Sequence, residues 1–398
     1  VLSGNGYAQV AVETRGNPSL RHCIIREGTQ VGIAVWHDAT GTFESCEVTR
    51  TAGAGILVRH GGNPNVIGCT IHHNQGNGIF IFMEGKGTFE RCEVSANAGA
   101  GIAISGGGDP IISDCVFRDG LESGIFVYEG GKGTFERCEV IGDAMAGLWI
   151  RDGGDPLVRD CTFRDSREGV GIVIAKDGKG TFERCTATGN AKAGIEVREG
   201  GDPLARECTF RDGGFSGIHV DVNGKGTFEN CEASGNALAG ISVMEGGDPM
   251  VRDCVFRNSR KDAGILVFSQ GKGTFEGCRL EGNAGPAVVA LRGGDPVVRD
   301  STLRNNRCGI VVQEHGRGTF ERCEATGNAE DGMEVKTGGD PVVRDCTFRE
   351  NRNYGVIVRS DGRGTVTGCL LVGNTPSDWL VEAGAAGSRE RNWPEAPR

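Results

Sequence analysis

The chain has 398 residues, of which 37% are hydrophobic, 68 are glycine and 16 are cysteine, and its formal net charge is −10. This acidic balance disfavours binding to nucleic acid, whose phosphates attract basic surfaces. The sequence contains no apolar run of the roughly 20 residues that a membrane-spanning helix needs, and no secretory signal. The composition therefore predicts neither a nucleic-acid nor a membrane partner.

A cysteine recurs about every 23 residues along nearly the whole chain. The series is Cys23, Cys46, Cys69, Cys92, Cys115, Cys138, Cys161, Cys185, Cys208, Cys231, Cys254, Cys278, Cys323, Cys346 and Cys369. Ser301 stands where the spacing calls for one further cysteine, which makes sixteen turns. Such self-similarity is typical of a solenoid, in which each turn contacts only its neighbours.

Two kinds of turn alternate along this series. One kind places a Gly-Asp-Pro or Gly-Asn-Pro corner before the cysteine, as in residues 154–161, and the other a Gly-Lys-Gly-Thr-Phe-Glu-Arg run, as in residues 178–184. The corner prolines of the first kind of turn are Pro18, Pro64, Pro110, Pro156, Pro203, Pro249, Pro296 and Pro341. The alternation indicates that a pair of turns was the unit of duplication.

Within one turn the apolar residues fall into three short alternating sets separated by bends. Val158 belongs to the first set, Cys161 and Phe163 to the second, and Ile172 and Ile174 to the third. Period-two alternation of this length predicts three short strands per turn. A column of asparagines follows the cysteines by five residues, and we expect these side chains to cap a stacked corner. They are Asn74, Asn97, Asn190, Asn236, Asn283, Asn328 and Asn374.

The domain prediction is one all-β solenoid over residues 1–376, with residues 377–398 as a C-terminal cap and polar tail. We expect Trp379, Leu380 and Val381 to fold over the last turn, because an open strand edge invites association. Since the chain begins at Val1 and not at a methionine, we also expect that it was processed or cut from a longer chain.

The cysteines are predicted to be free thiols stacked in the interior. The sequence has no C-x-x-C motif, and identical orientation on successive turns sets the Cβ atoms about one strand spacing apart, outside the usual disulfide range. So many free thiols favour a reducing compartment, and we expect a cytoplasmic location. Cys308 lies outside the column, and we expect it to be a partly buried corner residue, with a reactive thiol as the alternative.

Charged residues alternate in sign from turn to turn. The spacing sets Arg159 beside Glu183, Asp160 beside Arg184, and Arg252 beside Glu276. Cross-strand pairs of this kind specify the strand register and leave no continuous basic stripe. We predict that these charge pairs have a structural role. The alternative is that they form a track that binds a charged ligand.

The repeats resemble those of a known family. The pairing of a G-x-G-T-F-E run with an N-A-x-A-G-I run, as in residues 224–229 and 236–241, is similar to the β-helix repeats of the CASH (carbohydrate-binding and sugar-hydrolase) group. It is most similar to the β-helix of an F-box substrate-recruiting protein and its bacterial relatives. The resemblance implies a right-handed parallel β-helix of the pectin-lyase-like type, with cysteine where those relatives often have asparagine. It leaves function undecided, because members include lyases, epimerases, hydrolases and protein-binding modules.

Catalytic signals are weak in this sequence. The repeated acids have arginine partners, and every Asp-Pro is followed by an apolar residue, so that the D-P-H motif of alginate epimerases is missing. Histidines crowd the first turns, where His37 and His60 are equivalent and lie near Trp36, Asp38 and Arg59. The alternatives are a functional site at these histidines or an incidental group of surface side chains. Enzymatic activity is left undecided and is disfavoured, and we expect neither a cofactor nor a metal.

An apolar column on the outside of one strand is the strongest candidate for function. In the Gly-Ile-x-Val strand the isoleucine and valine face inward, so the residues between and after them face outward. The candidate binding residues are Trp36, Arg59, Phe80, Phe82, Phe126, Tyr128, Trp149 and Arg151, and a shallow notch is expected at Ala103 and Ser105. Apolar outward residues return at Leu266, Phe268, Val289 and Leu291. A contiguous exposed aromatic stripe marks a binding surface, unless a loop or another part of the parent chain covers it.

Three functions are compatible with these observations. The leading hypothesis is a non-catalytic scaffold whose aromatic face binds a protein partner or a second copy of the chain. The alternative is a carbohydrate-binding or carbohydrate-active protein, in which the aromatic side chains stack on sugar rings. A passive structural rod is the third.

Overall fold

The computed structural model describes residues 1–3, 6–390 and 392. All regular structure in these residues is β-strand, and most strands are three residues long. The chain is a parallel β-solenoid of about 16 turns with three strands per turn, as the cysteine spacing predicts. It divides into a first unit, Val1–Ile195 with Gly201–Leu204, and a second unit, Glu196–Gly200 with Ala205–Arg398.

In the first unit each turn contributes one strand to each of three parallel sets. The set after the cysteine position (post-cysteine strands) comprises Leu2–Ser3, Ile24–Arg26, Glu47–Thr49, Thr70–His72, Glu93–Ser95, Val116–Arg118, Glu139–Ile141, Thr162–Arg164 and Thr186–Thr188. The next set (Gly-Ile strands) comprises Ala8–Val12, Val31–Val35, Ile56–Val58, Ile79–Ile81, Ile102–Ile104, Ile125–Val127, Ala146–Ile150 and Val170–Ile174. The set before the cysteine position (pre-cysteine strands) comprises Ser19–Arg21, Thr42–Glu44, Asn65–Ile67, Thr88–Glu90, Ile111–Ser113, Thr134–Glu136, Leu157–Arg159 and Thr181–Glu183.

The second unit repeats the same arrangement. Its post-cysteine strands are Thr209–Arg211, Glu232–Ser234, Val255–Arg257, Arg279–Glu281, Thr302–Arg304, Glu324–Thr326, Thr347–Arg349 and Leu370–Val372. Its Gly-Ile strands are Ile218–Val220, Ile241–Val243, Ile265–Val267, Val288–Leu291, Ile310–Gln313, Met333–Val335, Val356–Val358 and Trp379–Val381. Its pre-cysteine strands are Thr227–Glu229, Met250–Arg252, Thr274–Glu276, Val297–Arg299, Thr319–Glu321, Val342–Arg344, Thr365–Thr367 and Ser388–Glu390. The strands Ile195–Val197 and Leu204–Arg206 contain the division between the units.

Successive turns align in register. Ile56 pairs with Ile79, and Ile79 pairs with Ile102. Residues of the same type therefore stack, and the interior is a column of fully buried side chains. The largest of these are Phe43, Phe89, Phe117, Phe135, Phe163, Phe182, Phe210, Phe228, Phe256, Phe275, Phe320 and Phe348.

Glycine before the Gly-Ile strand is required by the close approach of the next turn. A Cβ atom on Gly55 would lie 2.6 Å from Ile71 Cγ2, 2.7 Å from Gly78 O and 2.8 Å from Asn74 Nδ2. Distances below 3.0 Å cannot be accommodated without displacing the backbone. Glycine at this position therefore allows the corner to pack closely against the Gly-Ile strands.

The asparagine column forms as predicted. Asn74 Oδ1 accepts from the amide of Thr51 at 3.1 Å, and Asn97 Oδ1 accepts from the amide of Asn74 at 3.0 Å. Asn97 Nδ2 donates to the carbonyl of Ile71 at 3.1 Å. The same bonds recur in the second unit, where Asn283 and Asn306 join the column. Each asparagine thus pairs backbone groups that the corner would otherwise leave buried and unbonded.

The thiol column is also confirmed. All sixteen cysteines are free, and fifteen are buried, with Cys23 the half-exposed one. Cys69 Sγ accepts from the amide of Cys46 at 3.3 Å and donates to the carbonyl of Phe43 at 3.4 Å. Cys308 is 2% exposed, so the expectation of a partly buried corner residue is wrong.

The predicted charge pairs are present on the outer surface. Arg159 Nε lies 2.9 Å from Glu183 Oε2, and Arg184 Nε lies 2.8 Å from Asp160 Oδ1. Arg252 Nε lies 3.7 Å from Glu276 Oε2. These ion pairs lie at the surface, where solvent screens them, and their main effect is on register.

Stacking continues beyond residue 376. Trp379–Val381 pairs in parallel with Val356–Val358, and Ser388–Glu390 pairs with Thr365–Thr367. Asn392 takes the cysteine position of this turn, where its Oδ1 accepts from the amide of Cys369 at 2.8 Å. Residues 391 and 393–398 of the predicted tail lie outside the described residues.

Candidate functional site

The Gly-Ile strands of the first unit separate an inner from an outer row of side chains. Ile79 and Ile81 are buried in the interior, whereas Phe80 and Phe82, which alternate with them, are half-buried on the outside. Phe126, Tyr128 and Trp149 are half-buried in the same way. The two rows thus follow the alternation that the sequence predicts.

One part of the outer row is built around Trp36. Its indole Nε1 donates to Glu13 Oε2 at 3.1 Å, its ring lies edge-on to Tyr7, and the Arg59 guanidinium carbon lies 5.5 Å from the ring centroid. Trp36 is only 7% exposed, so its predicted place at an accessible rim is wrong. It packs with Val31, Ala34 and Leu57, and Phe80 and Phe82 pack against this cluster.

A second part of the outer row centres on Phe126. Its ring stacks on Tyr128 with 4.4 Å between centroids and lies 5.8 Å from the Trp149 ring. The Arg151 guanidinium carbon is 5.3 Å from the Phe126 centroid and 5.9 Å from that of Trp149. Arg151 Nε also lies 3.1 Å from Asp152 Oδ2. An arginine thus covers the end of the aromatic row, as in a cation–π contact.

The aromatic rings stand upright on the strand surface. Phe80 and Phe82 lie in the same strand row, their centroids are 4.5 Å apart, and their planes differ by 12°. Phe126 and Tyr128 have the same arrangement, with planes 15° apart. Because these rings cover each other's faces, their edges point away from the strand. The ring edge carries the positive end of the aromatic quadrupole and attracts oxygen atoms.

The position of the predicted notch lies between these two aromatic pairs. Ala103 is paired in register with Phe80 on one side and with Phe126 on the other. Ala103 and Ser105 are only 1% and 4% exposed, so neighbouring side chains cover them and the expected open notch is wrong.

The N-terminal histidines form contacts with each other. The rings of His37 and His60 stack with 5.6 Å between centroids, and His72 Nε2 lies 3.2 Å from Glu47 Oε1. Within residues 1–3, 6–390 and 392, no three His, Cys, Asp or Glu side chains converge as a metal site. In the same residues no helix is long and apolar enough to cross a membrane.

The second unit has an apolar groove on its outer side. The sequence indicates this groove only through the apolar residues that it places at outward positions. A cavity of about 430 Å³ lies over Leu266, Phe268, Val289, Leu291 and Val311. Its margin is charged and internally paired, since Arg307 Nε lies 2.9 Å from Glu330 Oε1 and Lys336 Nζ 2.6 Å from Glu334 Oε2. Cys308, buried beside Val289 and Val311, lines this groove.

Comparison with known proteins identifies the repeats. A family model described as a right handed beta helix region matches residues 1–112, 107–256 and 239–388. No curated protein sequence matches the chain.

Solved structures with a similar course of the chain have low sequence identity. The Azotobacter vinelandii mannuronan C-5 epimerase AlgE4 A-module is 12% identical, with 90% of this chain and 91% of that chain covered and a TM-score of 0.39. Pectate lyase Pel9A is 17% identical, with 73% of each chain covered and a TM-score of 0.38. The periplasmic alginate epimerase AlgG is 10% identical, with 90% and 78% covered and a TM-score of 0.37. Similarity at this level carries no information about activity.

Proposed function

The chain belongs to the right-handed β-helix family, and we propose that it is a scaffold that binds a protein partner, or a second copy of itself, through its aromatic face. This face comprises Phe80, Phe82, Phe126, Tyr128 and Trp149, with Arg59 and Arg151 at its margins. The face is non-catalytic in this proposal. The resemblance of the repeats to a substrate-recruiting β-helix is in line with a binding role.

The observation that carries the proposal is the row of half-exposed aromatic side chains on a rigid strand surface. Outward positions of a solvated strand are normally polar, and aromatic and arginine residues are the types that dominate interface energies. Their upright rings expose edges, which favour the carbonyl and carboxylate oxygens of a polypeptide. Trp149 Nε1 is a buried donor with no hydrogen-bond partner among the described residues. Such a donor favours a partner that supplies an acceptor once the side chain adjusts.

A carbohydrate ligand is the second candidate. The aromatic residues themselves favour it, because sugar rings can stack on aromatic side chains. Sugars stack on ring faces, however, and in this protein Phe82 covers one face of Phe80 and Tyr128 covers one face of Phe126. Fewer ring faces are therefore available to a sugar than in separated aromatic side chains.

The test is capture of binding partners with matched variants. The full chain and its Phe126→Ser/Trp149→Ser variant are immobilised, proteins captured from a cell extract are identified, and self-association is measured by sedimentation. We expect the variant to lose at least tenfold in affinity for any partner that is captured, or for itself. A second variant, Ile111→Ser/Leu157→Ser, removes apolar outward side chains from the pre-cysteine strands and serves as the control.

A glycan array with the same proteins separates the two candidates. Binding to a defined glycan that is lost only in the Phe126/Trp149 variant would replace the protein-binding proposal by the carbohydrate one. Partners that bind the two variants equally well would place the binding site elsewhere on the molecule.

We also propose a reducing, cytoplasmic location. The support for this location is the set of sixteen free thiols, because oxidising compartments favour the conversion of thiols to disulfides.

A further inference from the structure

Three polar side chains meet on the outer side of the second unit. His219 and Ser242 are outward residues of the neighbouring strands Ile218–Val220 and Ile241–Val243, where they are paired in register. His219 Nδ1 and Ser242 Oγ are 2.8 Å apart, and His219 Nε2 lies 3.7 Å from Asp221 Oδ2. Most histidines of the sequence crowd the first turns, and His219 stands apart from them. The structure gives it a hydroxyl on one side and a carboxylate on the other.

The carboxylate of Asp221, which lies at ion-pair distance and beyond hydrogen-bond distance, favours one tautomer of His219. A proton on Nε2 faces Asp221, which leaves Nδ1 as the acceptor for the Ser242 hydroxyl. Burial lowers the pKa of His219, and the nearby carboxylates of Glu196 and Asp221 oppose that effect. The imidazole is therefore neutral near pH 7 and able to take a proton. This is the state that a general base requires.

Other side chains enclose the pair. Ser242 is 2% exposed and His219 is 9% exposed, so both lie below the outer surface. The ring of Phe215 stands edge-on to the imidazole with 5.1 Å between centroids, and Leu266 is the register partner of Ser242 on the next turn. A substrate reaches Ser242 only when neighbouring side chains move aside, which restricts it to small esters.

We propose that Ser242, His219 and Asp221 form an acyl-transfer site for small esters. Ser242 and His219 are its catalytic residues, and Asp221 is a positioning residue that holds the imidazole and stabilises the imidazolium. The arrangement has the nucleophile, base and orienting carboxylate of known hydrolytic triads. This inference goes beyond the binding role of the first unit and does not depend on it.

The reaction balances without any further reactant than water. Ser242 Oγ forms a bond to the ester carbonyl carbon while its proton passes to His219 Nδ1. The bond between that carbon and the ester oxygen then breaks, and the departing alcohol takes the proton from His219. Water, deprotonated by His219, attacks the acyl-serine in the same way, releases the carboxylic acid and restores the serine hydroxyl.

The expected rate enhancement of ester cleavage comes from general-base catalysis alone. The backbone N–H groups of these strands are used in pairing with neighbouring turns, so we assign no oxyanion donor to the strands themselves. A positioned base contributes about 10²- to 10⁴-fold in rate. We therefore expect slow turnover of esters and a clear excess of Ser242 reactivity over that of other serines.

The experiment is covalent labelling of the full chain with diisopropyl fluorophosphate. Ser242 Oγ attacks phosphorus, fluoride leaves, and the proton passes to His219, so that one adduct is expected on Ser242 by peptide mass mapping. Ser242→Ala should abolish it and His219→Gln should slow it at least 100-fold, while Asp221→Asn should slow it less and shift its pH profile. Ser234→Ala, on the post-cysteine strand Glu232–Ser234, should label at the unchanged rate.

A pH series on the unmodified chain keeps the test decisive if the His219 variant does not fold. Because the pKa of His219 lies below its usual value, the labelling rate should stay level from pH 8 to 7 and fall as the histidine protonates in more acidic buffer. Labelling on a serine other than Ser242, labelling that ignores pH, or an equal rate in His219→Gln would each overturn the proposal.

Discussion

Asp143 Oδ1 accepts a hydrogen bond of 2.9 Å from the amide of Gly120, one turn earlier in the corner column that asparagine fills on most turns. Asparagines in this column also donate through Nδ2 to a carbonyl, as Asn97 does to Ile71. A carboxylate lacks that donor, and Asp143 Oδ2 is buried with no hydrogen-bond partner among the described residues. The column thus contains one acid at a place built for an amide.

Stability should depend on pH through Asp143. Burial raises the pKa of this carboxyl from 3.8 to about 7 in the folded chain. Below about pH 4 the carboxyl group is protonated in both the folded and the unfolded chain, so it causes no loss of stability. As pH rises to about 7 the unfolded chain ionises first, so the free energy of unfolding falls by an amount on the order of 4 kcal/mol, and the loss is complete above that pH.

Asp143→Asn should remove this dependence. We expect the variant to unfold at a higher temperature than the parent at pH 8 and at a similar temperature near pH 4, as measured by circular dichroism. Asp155→Asn is the control, because the exposed Asp155 occupies a corner position that Asn63 fills on another turn. Equal melting temperatures of Asp143→Asn and the parent at pH 8 would contradict the assignment.

The thiol column predicts a sharp difference between native and unfolded reactivity. Titration with a chromogenic disulfide should find about one fast thiol in the native protein and sixteen after unfolding without reductant, because fifteen cysteines are buried. Burial also raises the pKa of Cys278 to about 12, which keeps that thiol protonated and unreactive. Cys23→Ser should abolish the fast reaction and Cys308→Ser should not. Fewer than about fourteen thiols in the unfolded chain would indicate disulfides instead.

Inner and outer positions of neighbouring strands should differ in their effect on stability. Phe135 is 0% exposed, and its replacement by alanine should cost about 3–5 kcal/mol. Phe126→Ser/Trp149→Ser should leave the strand content unchanged in circular dichroism and cost less, because these side chains are half-buried outside the core. If the double variant unfolds while Phe135→Ala stays folded, the assignment of inner and outer rows is reversed.

Deletion of residues from Ser377 onward should promote association. The deletion uncovers the edges of Val356–Val358 and Thr365–Thr367, which Trp379–Val381 and Ser388–Glu390 otherwise pair. Unpaired parallel edges are templates for further strands. Light scattering should therefore detect larger species in the truncated protein than in the full chain. A truncated chain of unchanged size and melting temperature would show that these edges need no cover.

Part of the candidate site was predictable from the sequence and part was not. The outward position of Phe80 and Phe126 follows from strict alternation beside buried isoleucines, so it was predicted. The burial of Trp36 was not, because it depends on Tyr7, Glu13 and Arg59 closing over the ring from other turns. The spacing of His219 and Ser242 in the sequence corresponds to adjacent turns, but their 2.8 Å contact depends on a side-chain rotamer.

The repeat of about 23 residues by itself determined the solenoid, its three strands per turn, the thiol and asparagine columns and the alternating charge pairs. It could do so because stacked turns set equivalent residues above one another, so one spacing specifies every register. Only the tertiary structure decided which outward side chains touch, how the aromatic rings are oriented, and which groups lack a partner. Those outcomes depend on rotamers and on the size of neighbours on two other turns, which a periodic pattern does not encode.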